Sequence, residues 1–317
     1  MDSDLDVEVL SVSGLYAGDP EELRKLEQNP LIIIDGCNEK CASHICYYLG
    51  ITPAAKVFII DLMREGGLTP GKTRRELDEN GKKLAQSASA RVRETIAKMQ
   101  EKTYGPQKAR SPPADITPAR YVKKGRFWVP AGRPDLNAYS PTEGGGKQVC
   151  LFPCMGINRP EAIVSQVAAY MVNEDLMPGG CEILCAPAML SVVEEDVDMV
   201  REMPTVIING CEKDCASKMY SYLGLTPCAK IDIQDVIMET GIMPCRDGQG
   251  LDAKGKALSL AVAERVAEAA CRLKDHGYPY EHQAIDLHGN KHYPTIDKLM
   301  RYRCKGGCWI PEGRPDL

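Results

Sequence analysis

Fourteen cysteines lie in a chain of 317 residues, and ten of them fall in pairs with three residues between the two thiols. The pairs are Cys37/Cys41, Cys150/Cys154, Cys181/Cys185, Cys211/Cys215 and Cys304/Cys308. On a helical turn, residues four apart share a face and their thiols can share a metal ion. On an extended strand the same spacing separates them by about 13 Å, too far for ligands that each lie about 2.3 Å from one zinc. Cys37/Cys41 and Cys211/Cys215 therefore read as chelating pairs. Cys150 and Cys181 read as core thiols, because a free cysteine is often simply a small buried hydrophobe.

The compartment decides what so many thiols do. The N-terminus, Met1-Asp2-Ser3-Asp4, is acidic where a secretory leader would be basic and then apolar, so export is not expected. The longest aliphatic run, Leu31-Ile32-Ile33-Ile34, is far short of the roughly 20 apolar residues that span a bilayer. A cytoplasmic location follows as the expectation. In its reducing milieu cysteine enrichment favours metal or thiol chemistry over disulfides. Net charge is -5 and aromatic residues make up 6% of the chain, which argues against a stacking platform for nucleic acid.

The elements that must position these thiols come from an internal repeat. Shifted by 174 residues, Ile34-Asp35-Gly36-Cys37 with Cys41-Ala42-Ser43 falls on Ile208-Asn209-Gly210-Cys211 with Cys215-Ala216-Ser217, and Leu77-Asp78 falls on Leu251-Asp252. The match resumes in Trp128-Val129-Pro130 and Trp309-Ile310-Pro311, each followed by a Gly-Arg-Pro-Asp-Leu tail. Two related domains are implied: residues 1–137, which lack a first strand-helix unit, and residues 148–317, which are complete. The glycine-rich stretch 138–147 joins them as a linker.

In the second copy, periodicity predicts strands over 147–152, 182–184, 205–208 and 229–233. Helices are predicted over 160–172, 192–201, 215–223 and 253–273. Strands alternating with helices give an α/β fold, each domain a mainly parallel sheet with helices on its faces. Ligands of such sheets gather at the carboxyl ends of the strands. Cys154, Cys185 and Cys211 each follow a predicted strand, and Cys215 opens the next helix. Those four form the expected primary metal site. Cys211 and Cys215 also lie near a helix N-terminus, where the dipole favours thiolate.

These residues resemble the DGC family, named for its Asp-Gly-Cys motif. Asp35-Gly36-Cys37 with Cys41, and Asn209-Gly210-Cys211 with Cys215, carry the motif; Cys154-Met155-Gly156 and Cys185 match the family's other two cysteine positions. The resemblance implies a zinc site in the second copy, where Asn209 replaces the motif aspartate. In the first copy Ser11 stands where Cys185 stands, so that copy reads as degenerate.

Two readings stay open. One is a zinc protein holding the ion through four cysteines in a structural or metal/sulfur-carrier role. The other is an iron-sulfur or thiol redox protein that passes electrons or sulfur to a partner enzyme, since four thiolates suit zinc and clusters alike. Cys37, Cys41, Cys304 and Cys308 form a possible second site across the copies. His44, His276, His282, His288 and His292 read as surface residues. The segment 71–135 is strongly basic and reads as a solvated helix face, with a docking surface for an acidic partner as its alternative. A protein partner or homo-oligomer is expected; membrane and nucleic acid are not.

Overall fold

A computed structural model describes residues 7–16, 19–70, 75, 77–101, 104, 120–124, 127–132, 148–191, 193–222, 227–247, 250–276, 301–305 and 308–313. The first repeat runs α1 (Val12–Tyr16), α2 (Pro20–Gln28), β1 (Ile32–Asp35), α3 (Cys41–Tyr48), β2 (Ala55–Phe58), α4 (Ile59–Gly66) and α5 (Glu79–Gln100). A hairpin, β3 (Arg120–Lys124) and β4 (Phe127–Gly132), follows. Local chemistry sets the boundaries. Asp19 accepts the N–H groups of Glu21 and Glu22 to start α2, with Pro20 in its first turn. Asp78 caps α5 through the Gly81 N–H.

The second repeat opens with a unit that has no counterpart among the described residues of the first: β5 (Val149–Pro153) and α6 (Pro160–Met171), which widens into a π-turn over Val172–Leu176. Then come β6 (Cys181–Ile183), α7 (Ala186–Leu190), α8 (Glu194–Glu202), β7 (Thr205–Asn209), α9 (Cys215–Tyr222), β8 (Ala229–Asp232) and α10 (Ile233–Thr240). A short antiparallel pair, β9 (Arg246–Asp247) with β10 (Gly250–Leu251), leads into α11 (Ala253–His276). The hairpin β11 (Arg301–Lys305) and β12 (Cys308–Gly313) ends the described chain. From α1 to α5 every element of the first repeat recurs 174 residues later. Gly67 and Gly241 end the equivalent helices α4 and α10 in the same left-handed conformation, at φ 58° and 66°.

The fold is α/β and its sheets are mainly parallel. In the second repeat the strand order is β6-β5-β7-β8, every pairing parallel. Among the described residues the first repeat has the parallel pair β1-β2. Side chains of β5 and β7 divide by strand alternation. Val149, Leu151, Val206 and Ile208 join α6, α10 and α11 in one core, whereas Cys150, Phe152 and Ile207 face the other. That second core also takes Leu15, Leu26, Ile33 and Ile45 of the first repeat. Phe152 is fully buried there, a burial worth about 1.5–3 kcal/mol for such a side chain. The two repeats thus share one apolar layer on one face of the four-stranded sheet. The Trp128 and Trp309 segments lie in antiparallel hairpins, with Lys123 opposite Trp128 and Cys304 opposite Trp309. No helix among the described residues is long and apolar enough to cross a membrane.

Candidate metal centre

Each cysteine pair of the motif sits on a strand-to-helix turn held by the polar residue that ends the strand. Asp35 Oδ1 accepts the Ala42 N–H at 2.9 Å, and its Oδ2 accepts the Ser43 hydroxyl at 2.6 Å. Asn209 does the same work with an amide: Oδ1 accepts the Ser217 N–H at 3.1 Å while Nδ2 donates to Ser217 Oγ at 2.7 Å. Its second donation goes to Asp232 Oδ1 at 2.9 Å. Phe58 stands where Asp232 stands, so the first repeat needs no donor there and keeps the carboxylate. The exchange of Asp35 for Asn209 is therefore matched to its neighbour. Between the paired cysteines, Lys40 and Asp214 both take the left-handed conformation, φ 50° and 51°, to turn the chain into its helix.

The motif glycine has a steric cause in the second repeat. A Cβ on Gly210 would meet Ala162 Cα at 2.9 Å and Ala162 N at 3.0 Å, backbone atoms of α6 that cannot yield cheaply. A Cβ on Gly36 would meet nothing within 4 Å, and no counterpart of α6 lies among the described residues of the first repeat.

Of the four cysteines expected to share one site, Cys154, Cys211 and Cys215 lie within charge-interaction range of one another. All three are buried. Burial is the largest influence on each thiol and raises its pKa, to about 12 for Cys215. Backbone N–H groups oppose it: Gly156 and Gly210 face the sulfur of Cys154, and Lys213 that of Cys211. The thiolate preference expected from the helix start at Cys211 and Cys215 is thus overridden by desolvation, and in the absence of a cation these groups are neutral thiols. Ser11 reaches this group from the first repeat: a Cβ on Gly156 would lie 3.7 Å from Cys154 Sγ and 3.8 Å from Ser11 Oγ.

The charge neighbours of Cys185 include Cys37 and Cys41 of the first repeat. Sheet order accounts for this. Cys185 follows β6 and Cys211 follows β7, on opposite sides of β5; strands two places apart are separated by about 10 Å. Cys41 is buried, and burial first and then Cys185 push its thiol up to about 12. Cys37 and Cys185 are exposed. Even so, burial of the Cys185 sulfur is the main cause of its raised pKa, opposed by the Ala188 N–H. The backbone of Cys304 and Cys308 lies in the β11–β12 hairpin, and their side chains lie outside the described residues.

Cys150 and Cys181 are fully buried core thiols, as their strand positions predicted, and Cys46 is buried in the shared layer with Cys150. His44 is exposed. His282, His288 and His292 lie outside the described residues. On α5 the basic side chains pair locally, Lys82 with Glu79 and Lys98 with Glu94, in keeping with a solvated helix face.

Sequence reasoning missed the residues that join the repeats. Glu22 is buried and accepts the Ser11 N–H at 2.7 Å; its equivalent Asp196 accepts the Cys185 N–H at 2.8 Å. Glu22 also accepts from Asn158 of the second repeat at 3.2 Å. Lys213 crosses to Asp19 at 3.2 Å and to Glu21. The 174-residue shift places Glu22 on Asp196, so the recurrence of an acidic residue was the available signal.

A profile of the DGC domain matches residues 1–88 and 150–249, more than half of the chain. The chain belongs to the DGC-domain family. Both DGC segments cover a motif loop, Cys37/Cys41 in one and Cys211/Cys215 in the other. Neither a curated protein nor a solved structure matches the chain.

The donor chemistry of the DGC loops suits a thiophilic cation: free thiols from separate loops, with backbone N–H groups aimed at sulfur. Among the described residues, however, no three His, Cys, Asp or Glu side chains are gathered tightly enough to enclose an ion as they stand. Closing either thiol group therefore needs rotation of side chains about χ1, between staggered positions.

Proposed function

We propose that this DGC protein is a cytoplasmic metal-binding protein that holds zinc through Cys154, Cys211 and Cys215, in a structural or carrier role. The observation that carries the reading is the convergence of three buried thiols from two neighbouring strand-end loops, Cys154 after β5 and Cys211 with Cys215 after β7. Soft thiolate donors gathered from separate loops suit zinc, which supplies the cross-link between them. Metal binding would displace the thiol protons, so the cost of desolvating the thiolates is met by the cation. Cys154 comes from the loop after β5, and Cys211 and Cys215 from the turn between β7 and α9. These are adjacent strands, so the ion would tie the two loops together across the crevice at the sheet's carboxyl edge. Ser11, beside Gly156, is one candidate oxygen for a fourth position.

A carrier role requires a protein that receives the ion, and a reducing compartment that keeps the thiols free. The test is metal and acid-labile sulfide analysis of anaerobically purified protein, wild type against Cys211→Ser. One zinc fewer per chain in the variant than in the wild type, without a visible absorption band, is the expected result. Iron with sulfide in near-equal amounts would replace this reading by the cluster one.

A further inference from the structure

We infer that the chain carries a second thiophilic-cation site, built across the two repeats from Cys37, Cys41 and Cys185, and that this is the site from which the ion exchanges. The inference rests on the zinc reading for Cys154, Cys211 and Cys215, and its test is arranged so that the two can fail separately.

Helix α1 lies against α9, and α3 lies against α7, contacts that interchange under the 174-residue shift. Each repeat thereby delivers the residue ahead of its short helix to the thiol group of the other. The first repeat delivers Ser11 beside Gly156, in the loop that carries Cys154; the second delivers Cys185 to the charge range of Cys37 and Cys41. Equivalent acidic side chains fix both, Glu22 on the Ser11 N–H and Asp196 on the Cys185 N–H. From the far end of α7, Ser191 Oγ donates to the Cys41 carbonyl at 3.1 Å and pins α7 to α3. Three thiols come within charge-interaction range of one another in this way, two from one repeat and one from the other.

The two thiol groups differ in cover. The Cys154 group is buried, with Gly210 pressed against the backbone of α6. Around Cys37 that cover is missing: Gly36 has no neighbour within 4 Å, and Cys37 and Cys185 are exposed. A site of three thiolates with a free face leaves a fourth position to solvent or to an incoming thiol, and zinc tolerates such replacement because it has no geometric demand of its own. Binding releases each thiol's proton to solvent. Exchange replaces one sulfur ligand by another with no change of oxidation state. Exposed Cys37 and Cys185 have the freedom to turn inward around an ion, and outward again to release it.

The experiment is a Zn2+ titration of the reduced, metal-free full chain, read by native mass spectrometry and by transfer of zinc to a chromophoric chelator. Two zinc ions per chain are expected, one passing to the chelator at least tenfold faster than the other. Cys185→Ser and Cys37→Ser should each abolish the fast ion and leave the slow one, and Cys211→Ser should do the reverse. Because Cys37 is exposed, its variant keeps the test valid if Cys185→Ser fails to fold. A single zinc per chain that both Cys185→Ser and Cys211→Ser remove would overturn the second site and leave a one-repeat, four-thiol site. A wild-type chain that takes up no zinc would overturn the zinc reading itself, and this inference with it.

Discussion

Giving the second repeat the family's aspartate, by Asn209→Asp, is expected to destabilise the protein and not to repair its motif. Asn209 is 1% exposed, and its amide donates to Asp232 Oδ1 at 2.9 Å and to Ser217 Oγ at 2.7 Å. An aspartate loses the donation to Asp232 and faces it with a second carboxylate, while the Ser217 hydroxyl can turn to donate as that of Ser43 does to Asp35. Losing a hydrogen bond to a charged group costs about 1.5–3 kcal/mol. Two like charges about 4 Å apart add about 4 kcal/mol at an effective dielectric near 20. Protonating one of them caps the penalty, at about 4 kcal/mol at neutral pH for an ordinary aspartate. Lys230, paired with Asp232 at 2.9 Å, absorbs part of the repulsion. The net expectation is about 3–4 kcal/mol at neutral pH, from the balance of these terms. It should shrink in mild acid, where a shared proton takes the place of the amide hydrogen. Urea unfolding measures it, with the reciprocal Asn209→Asp/Asp232→Asn variant as the control that restores donor and acceptor. A wild-type midpoint for Asn209→Asp at neutral pH would refute the account of why this repeat carries Asn.

Further expectations follow from the same contacts. Gly210→Ala should lower stability by about 1–3 kcal/mol through its clash with α6, whereas Gly36→Ala should stay within about 0.5 kcal/mol; equal shifts in thermal midpoint would remove the steric explanation of the motif glycine. Glu22→Ala strips partners from the Ser11 N–H, Lys25 and Asn158, and should cost about 3 kcal/mol in chemical denaturation, against under 1 kcal/mol for the exposed pair broken by Lys98→Ala. Removing bound zinc with a strong chelator should lower the thermal midpoint, since an ion held at a hundred times its dissociation constant contributes about 2.7 kcal/mol. An unchanged midpoint after complete removal would exclude a folding role for the ion.

The α/β pattern was legible because β5 and β7 are short apolar runs and α11 has a long helical period. The predicted strand 205–208 and helix 253–273 lie within one to three residues of β7 and α11. The short helices α7 and α10 and the two hairpins were not anticipated. Five residues carry too little periodicity to mark α7, and its position is set by packing against α3 of the other repeat. The site was legible as a set of cysteines at strand ends, but their grouping was not. Sequence spacing carries no information on strand order, and it is the placement of β6 on the far side of β5 that separates Cys185 from Cys211. The delivery of Ser11 and Cys185 across the repeats depends on tertiary packing alone. Its trace in the sequence was the alignment of Ser11 with Cys185 and of Glu22 with Asp196.

The central claim, that thiolates of this chain hold a metal ion, is tested most directly by X-ray absorption at the metal edge of protein purified without oxygen. The account predicts zinc with a first shell dominated by sulfur at about 2.3 Å. A shell of nitrogen and oxygen alone, at about 2.0–2.2 Å, would contradict it.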